Sequence, residues 1–162
     1  MQEGPWGIDP SADHPKVIAS PVLIFAATLA AGFLLDWVWP LKFLSGDASF
    51  IAGFFIIFFA VNIKAYAVRE MVRRKTNVNV YKPATALATE WPFSVSRNPL
   101  YGGILLLNIG IACFVNALWI LLLTPLLAFA FQKAVIEPEE AYLEQKFGAA
   151  YLRYKAKVRR WI

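Results

Sequence analysis

The sequence predicts an all-α, polytopic membrane protein. It has about four transmembrane helices, the last two forming a C-terminal helical hairpin, followed by a helix at the cytoplasmic interface. Three observations predict this. Of 162 residues, 59% are apolar and 17% charged, against roughly 45–50% and about 25% in soluble domains. Several apolar runs are long and free of charge. The Lys and Arg residues gather in two stretches that separate those runs. One Cys and one His, His14, exclude an intrachain disulfide, a zinc knuckle and bis-histidine haem, so no metal is expected.

The elements follow in order. Met1–His14 carries three acids and no base, the reverse of a secretory signal peptide. The first span covers 17–39. Its stretch Val17–Leu35 is 19 residues without a charge, close to the ~20 that cross ~30 Å of hydrocarbon. Pro21 sits where a first-turn proline costs little, and Trp37 and Trp39 suit the interfacial belt. The second span covers 48–68, with Lys64 read as snorkelling to the headgroups. A cytoplasmic loop covers 75–98. Leu100–Gln132 then runs 33 residues without a charge. As one helix it would reach about 50 Å, so the sequence predicts a hairpin over 99–136 turning near Asn116. Its arms are short for a span, so either the bilayer is thinned there or the first arm spans incompletely. Over 138–160, Tyr142, Leu143, Phe147, Tyr151, Tyr154 and Val158 recur at spacings of three and four, an apolar stripe for an interfacial helix. Gly148 divides it. No internal repeat interrupts a single domain over 1–162.

Seven bases lie between Lys64 and Arg97 and seven between Lys133 and Arg160, whereas the first loop carries only Lys42. The positive-inside rule places the second loop and the C-terminus in the cytoplasm. The acidic N-terminus must then lie inside as well, which charge alone does not favour. The protein is expected in a bacterial inner membrane or an ER-type membrane, with its site on the cytoplasmic face. Membrane lipids account for the +5 charge, and no nucleic acid is implied.

Ser96-Arg97-Asn98-Pro99-Leu100-Tyr101-Gly102-Gly103 stands at the hairpin's entrance and Glu137-Pro138-Glu139-Glu140 at its exit. A hairpin sets entrance and exit side by side. An arginine, an amide, a phenol, bare backbone and carboxylates therefore converge on a site for a polar, zwitterionic ligand at the lipid rim. Each has a plainer reading. Glu137-Pro138-Glu139-Glu140 also reads as a helix start, with Pro at N1 and acids in the first turn. Arg97 also reads as a snorkelling cation, Trp91 as a belt aromatic and the glycines as close-packing positions. Asn108 either bonds to a neighbouring helix or lines a substrate pocket. No GxGxxG follows a strand, no GxSxG occurs, and no acid lies in mid-membrane as a proton-coupled transporter requires.

Lys82-Pro83, Thr85-Ala86-Leu87, Ser96 to Gly103, the apolar hairpin, Glu139-Glu140 and Phe147-Gly148 … Tyr151 … Tyr154 … Val158-Arg159-Arg160 together resemble the integral-membrane methyltransferase superfamily. This superfamily includes the isoprenylcysteine carboxyl methyltransferases and the phospholipid N-methyltransferases. The likeness covers about residues 75–160. It implies S-adenosylmethionine as methyl donor, with S-adenosylhomocysteine as product, and a lipid or lipidated small molecule as acceptor. Carried over position by position, its Asn-Pro-x-Tyr motif falls on Arg97, Asn98, Pro99 and Tyr101 and its Glu-Glu pair on Glu139 and Glu140, which are expected as cofactor contacts together with Lys82 and Gly102 of the same runs. Arg97 and Glu140 are the expected catalytic pair, and Trp91 and Asn108 the expected substrate pocket. The chain departs from the pattern in three places. Asn98 stands where isoprenylcysteine enzymes usually have His, Trp91-Pro92-Phe93 replaces Gly-Pro-Phe, and Val95 takes a position often basic. Asn-Pro-x-Tyr is nearer the phospholipid enzymes. Two other readings are a non-catalytic scaffold of the same fold and a nicotinamide-dependent relative of the sterol reductases.

Overall fold

The computed structural model describes residues 13–161. The acidic stretch that argued against a signal peptide lies mostly outside the described residues. Within them the protein is all helical: α1 Pro21–Val38, α2 Gly46–Arg73, α3 Pro99–Phe114, α4 Leu118–Leu122, α5 Thr124–Phe131, α6 Glu137–Phe147 and α7 Ala149–Lys157. Three helical stretches are long and apolar enough to cross a membrane: Pro21–Val38, Gly46–Arg73 and Leu118–Phe147. With the apolar α3 they make a polytopic membrane protein. At 1.5 Å per residue, the 16 residues of α3 reach only about 24 Å, less than a full span.

α3 is the central element, with α2 along one side and α4 and α5 along the other. Small residues set the α2–α3 approach. A Cβ on Gly53 would stand 2.3 Å from the backbone nitrogen of Phe114, and one on Gly110 would stand 2.9 Å from that of Ile57. In lipid no hydrophobic effect draws helices together, so such close backbone contact supplies the attraction. The large apolar side chains of α2, among them Phe54, Phe55, Phe58 and Phe59, point outward, as the hydrocarbon requires.

Hydrogen bonds fix both ends of the bundle. At the far end the α3–α4 turn holds Asn116 at φ 54°, a left-handed conformation that Asn tolerates. Asn116 Oδ1 accepts from the nitrogens of Phe43 and Leu44, and Nδ2 donates to Leu44 O at 2.8 Å. Trp119 Nε1 donates to Trp39 O at 2.8 Å. The turn thus clips the α1–α2 loop. At the other end lie the α2 C-terminus, the α3 N-terminus and α6. Of sixteen bases, only Lys42 sits at the far end.

The stretch after α5 departs from the sequence reading. Pro138 was expected to open a separate helix over 138–160. Instead the chain stays helical through a π-turn at Gln132–Ile136 and directly into α6. The reason is chemical. Pro138 has no N–H, so the carbonyl of Ala134, four residues back, loses its helical donor. Ile18 N donates to that carbonyl at 2.8 Å, while Glu137 N bonds five residues back to Gln132 O. The start of α1 thereby repairs the defect and α6 continues the span. Gly148, at φ 49°, ends α6 and turns the chain into α7.

Candidate functional site

Residues 74–98 run from α2 to α3 without regular helix and wrap the polar end of the bundle. Its base is pinned to α2. Glu70, buried, accepts from Arg73 Nε at 2.6 Å and Arg74 Nε at 3.0 Å, and Arg74 Nη2 reaches Glu90 at 3.1 Å. Farther along, Tyr142 Oη accepts from Ala84 N at 3.1 Å. Between this loop, α6 and α7 lies a narrow cleft with about 70 Å³ of internal space. Lys82, Arg97, Asn98, Glu139 and Glu140 line it, with the rings of Phe93, Tyr151 and Tyr154.

Glu140 is the electrostatic centre. Its Oε1 lies 2.9 Å from Arg97 Nη2 and its Oε2 lies 2.8 Å from Arg160 Nη2. The Arg97 and Glu140 side chains are 9% and 7% exposed, so the pair is well withdrawn from water. Arg97 Nη1 also donates to the carbonyls of Lys155 at 3.0 Å and Val158 at 3.2 Å. Each nitrogen of the planar guanidinium fork therefore meets a fixed acceptor, which a lysine ammonium could not reproduce. The Glu140 carboxylate in turn holds the Arg160 guanidinium even more firmly protonated than usual.

The last residues cross this cluster as a strap. Arg97 N donates to Arg159 O at 2.9 Å, and Ser96 Oγ and Asn98 Nδ2 donate to Arg160 O at 3.2 and 3.0 Å. Tyr154 Oη donates to Phe93 O at 2.7 Å, tying α7 to the loop. Burial pushes the Tyr154 phenol above its ordinary range, and burial followed by the Glu140 charge does the same to Tyr151. Both stay neutral at any physiological pH.

Glu139 differs from its neighbour. It lines the cleft, and among the described residues its hydrogen-bond partner is the Tyr101 hydroxyl, which donates at 2.8 Å. It is thus a cleft carboxylate with a neutral partner, next to one saturated by two arginines.

On the other side of the 91–99 loop lies a second, apolar depression of about 600 Å³ among α2, α3 and α5. Trp91, Gly102 and Trp161 are part of its lining. The expected site residues thus divide. Lys82, Arg97, Asn98, Glu139 and Glu140 share the cleft, Tyr101 reaches it through Glu139, and Trp91 and Gly102 face the apolar groove. Asn108 lies in neither. It is fully buried, and its Nδ2 donates to Ile120 O at 3.1 Å and Thr124 Oγ1 at 3.0 Å. It takes the interhelical role, joining α3 to the α4–α5 arm. Sequence reasoning gave no individual site role to Ser96 Oγ, Arg160 or Trp161: Ser96 and Arg160 entered only as parts of the motif runs, and the C-terminal bases otherwise as topology signals. The signal available was Arg159-Arg160-Trp161 after a helical stripe had ended: two cations and an aromatic with no helix face to occupy.

A family model described as phospholipid methyltransferase matches residues 48–150. An uncharacterized protein of Haemophilus influenzae is 67% identical over 27 residues, which are 17% of this chain and 43% of that relative. The chain therefore spans less than half the length of the curated relative it matches. No solved structure matches.

Proposed function

We propose, from the premise that this chain belongs to the phospholipid methyltransferase family, that it transfers a methyl group from S-adenosylmethionine to a lipophilic acceptor at the cytoplasmic surface of a membrane. The observation that carries the reading is one loop with two faces. Arg97 and Asn98 line a charged cleft, while Ser96 and Pro99 line an apolar groove. A water-soluble donor and a lipid-soluble acceptor need two such compartments back to back.

The residues present fit the donor by their chemistry. It carries an ammonium, a carboxylate, ribose hydroxyls and an aromatic base. Glu139 suits the ribose hydroxyls, since its partner is a neutral phenol rather than a cation and it stays free to take a proton. Lys82 and the Asn98 amide suit the carboxylate and ribose. Phe93, Tyr151 and Tyr154 offer aromatic faces. Arg97 and Glu140 are taken up by each other and by the strap, so we assign them the task of holding the cleft in shape. With about 70 Å³ inside, the cleft opens on binding, and the irregular loop over 76–88 is the wall able to yield.

When bound, the donor supplies a methyl carbon on a positively charged sulfur. That carbon would be passed to an amine nitrogen or carboxylate oxygen of the acceptor, with the S–CH3 bonding pair retained by the departing sulfide. The transfer needs alignment and dryness more than a strong acid. Orientation supplies roughly 7–11 kcal/mol of such a barrier. The buried Arg97–Glu140 pair, clamped by the half-buried Arg160, gives rigidity, and the strap with the neutral Tyr151 and Tyr154 phenols keeps water out. A phospholipid amine must shed a proton before attack, and Glu139 is the cleft carboxylate able to receive it. An isoprenylcysteine-type carboxylate needs no base. Asn98 in place of His favours the amine.

S-adenosylhomocysteine titrated into the detergent-solubilised protein tests the reading. Binding by calorimetry with a raised melting temperature is expected, since a ligand held by the native state stabilises it by mass action. A folded sample that binds none at millimolar concentration would leave the non-catalytic scaffold, and binding of a nicotinamide cofactor in its place would indicate the reductase relative.

A further inference from the structure

The apolar groove is built differently from the helix contacts around it. Its walls come from two spans, through Ile63 of α2 and Ala128 of α5, so it faces the hydrocarbon. Its lining is almost wholly apolar, which excludes a water-soluble ligand. Its floor is one face of α3, and there Gly102 stands out among the intramembrane glycines. A Cβ on Gly32, Gly53, Gly103 or Gly110 would come within 2.7, 2.3, 2.5 or 2.8 Å of a neighbour, whereas one on Gly102 would meet nothing within 4 Å. Those four glycines serve packing. Gly103 also borders the groove, but Lys64 fills the space over it; Gly102 packs against nothing, and the space over its bare Cα is the groove itself.

Trp161 lines the groove where it comes beside the 96–99 loop. This indole is fixed in place. Its Nε1 donates to Gln132 Oε1 at 3.3 Å, its ring packs against the Tyr101–Leu127–Phe131 cluster, and the preceding carbonyl is held by Ser96 and Asn98.

We propose that the groove takes one hydrocarbon chain of the methyl acceptor, a bilayer lipid, and that Gly102 and Trp161 are the residues that select it. Gly102 leaves the floor low enough for the chain to lie across α3. Trp161 is the end wall that stops the chain where the 96–99 loop turns toward the cleft, so the polar head arrives at Arg97 and Asn98. This rests on the methyltransferase reading for the identity of the acceptor, while chain binding itself is a property of the groove alone.

The test separates the two. Phosphatidylethanolamine carrying a photoactivatable diazirine in one acyl chain is reconstituted in liposomes with the wild-type protein, Gly102→Leu, Gly102→Ala and Trp161→Phe. Adducts are mapped by mass spectrometry, S-adenosylhomocysteine affinity is measured alongside, and methyl transfer is followed with unmodified phosphatidylethanolamine. Label is expected in the peptides holding residues 91–109 and Trp161. Gly102→Leu should lower that label, and raise the acceptor's KM, by about ten-fold or more, with cofactor affinity unchanged. Gly102→Ala should fall between. Trp161→Phe should keep the label and loosen the preference for chain length. Wild-type protein with no label in those peptides, or Gly102→Ala and Gly102→Leu both labelled like wild type, overturns the inference even if methyl transfer is intact. Label that Gly102→Leu abolishes, with no methyl transferred by any variant, supports the groove and overturns the methyltransferase reading instead.

Discussion

Replacing Glu140 by Gln removes the carboxylate that the Arg97 and Arg160 guanidiniums share. Its oxygens lie 2.9 Å from Arg97 and 2.8 Å from Arg160. With Glu140 and Arg97 only 7% and 9% exposed, little water is available to compensate. Removing one partner of a buried pair costs about 3–5 kcal/mol. Two features place this case at the lower end. Arg97 keeps the carbonyls of Lys155 and Val158 at 3.0 and 3.2 Å, and Arg160 keeps Glu137 at 3.5 Å. We expect a loss of about 3 kcal/mol, which at about 2–4 °C per kcal/mol lowers Tm by about 6–12 °C. The assay is thermal unfolding in detergent, followed by tryptophan fluorescence. Lys133→Ala is the control. It breaks the Lys133–Glu137 pair, whose lysine is 53% exposed, and should cost less than about 1 kcal/mol. In a cycle with Arg97→Met the two losses should be strongly non-additive. A Glu140→Gln protein melting within about 2 °C of wild type would show that the cluster is screened by solvent and does not hold the strap.

Three further outcomes follow from the packing. Gly53→Ala should destabilise by about 1–3 kcal/mol, because its new methyl meets the Phe114 backbone, whereas Gly102→Ala should leave Tm unchanged; equal effects in thermal melts would refute the packing account. Asn116→Ala should lower Tm, losing a residue suited to φ 54° and three hydrogen bonds to the α1–α2 loop; Asn116→Gly should recover only the backbone share, and identical melting of the two would contradict this. The raised phenol pKa values of Tyr151 and Tyr154 set a sign for pH: the neutral form is favoured in the folded state, so this stability is complete below about pH 10 and is lost as pH rises above it. Ultraviolet titration should show fewer native tyrosines ionising at pH 11 than in denatured protein, and Tyr154→Phe should leave the native amplitude there unaltered.

The membrane spans were legible because hydrocarbon tolerates few charges, so runs such as Leu100–Gln132 stand out in one dimension. Asn116 was readable as the turn because the uncharged run exceeds one bilayer and Asn accepts a left-handed backbone. The convergence of Arg97 and Asn98 with Glu139 and Glu140 followed from antiparallel arms having adjacent ends. Pro138 misled because its local grammar, Pro with acids, is that of a helix start. What keeps the helix running is Ile18, 120 residues away, which supplies the donor that Pro138 lacks. The division of labour between Glu139 and Glu140 was likewise hidden, since it depends on Arg160 arriving from the strap. Gly102 and Gly103 are indistinguishable in sequence and both border the groove, and the position of Lys64 against Gly103 is what leaves Gly102 as the open floor.

The central claim is that methyl transfer occurs where the cleft and the groove meet. Its most direct test is to incubate liposomes containing the purified protein and phosphatidylethanolamine with S-adenosylmethionine tritiated in the methyl group, then extract the lipid. Label is expected in the lipid fraction as a base-stable N-methyl headgroup, lost in Glu139→Gln while that variant keeps its fold. A folded protein that leaves the lipid fraction unlabelled, with phosphatidylethanolamine and with a farnesyl-cysteine acceptor alike, would contradict it.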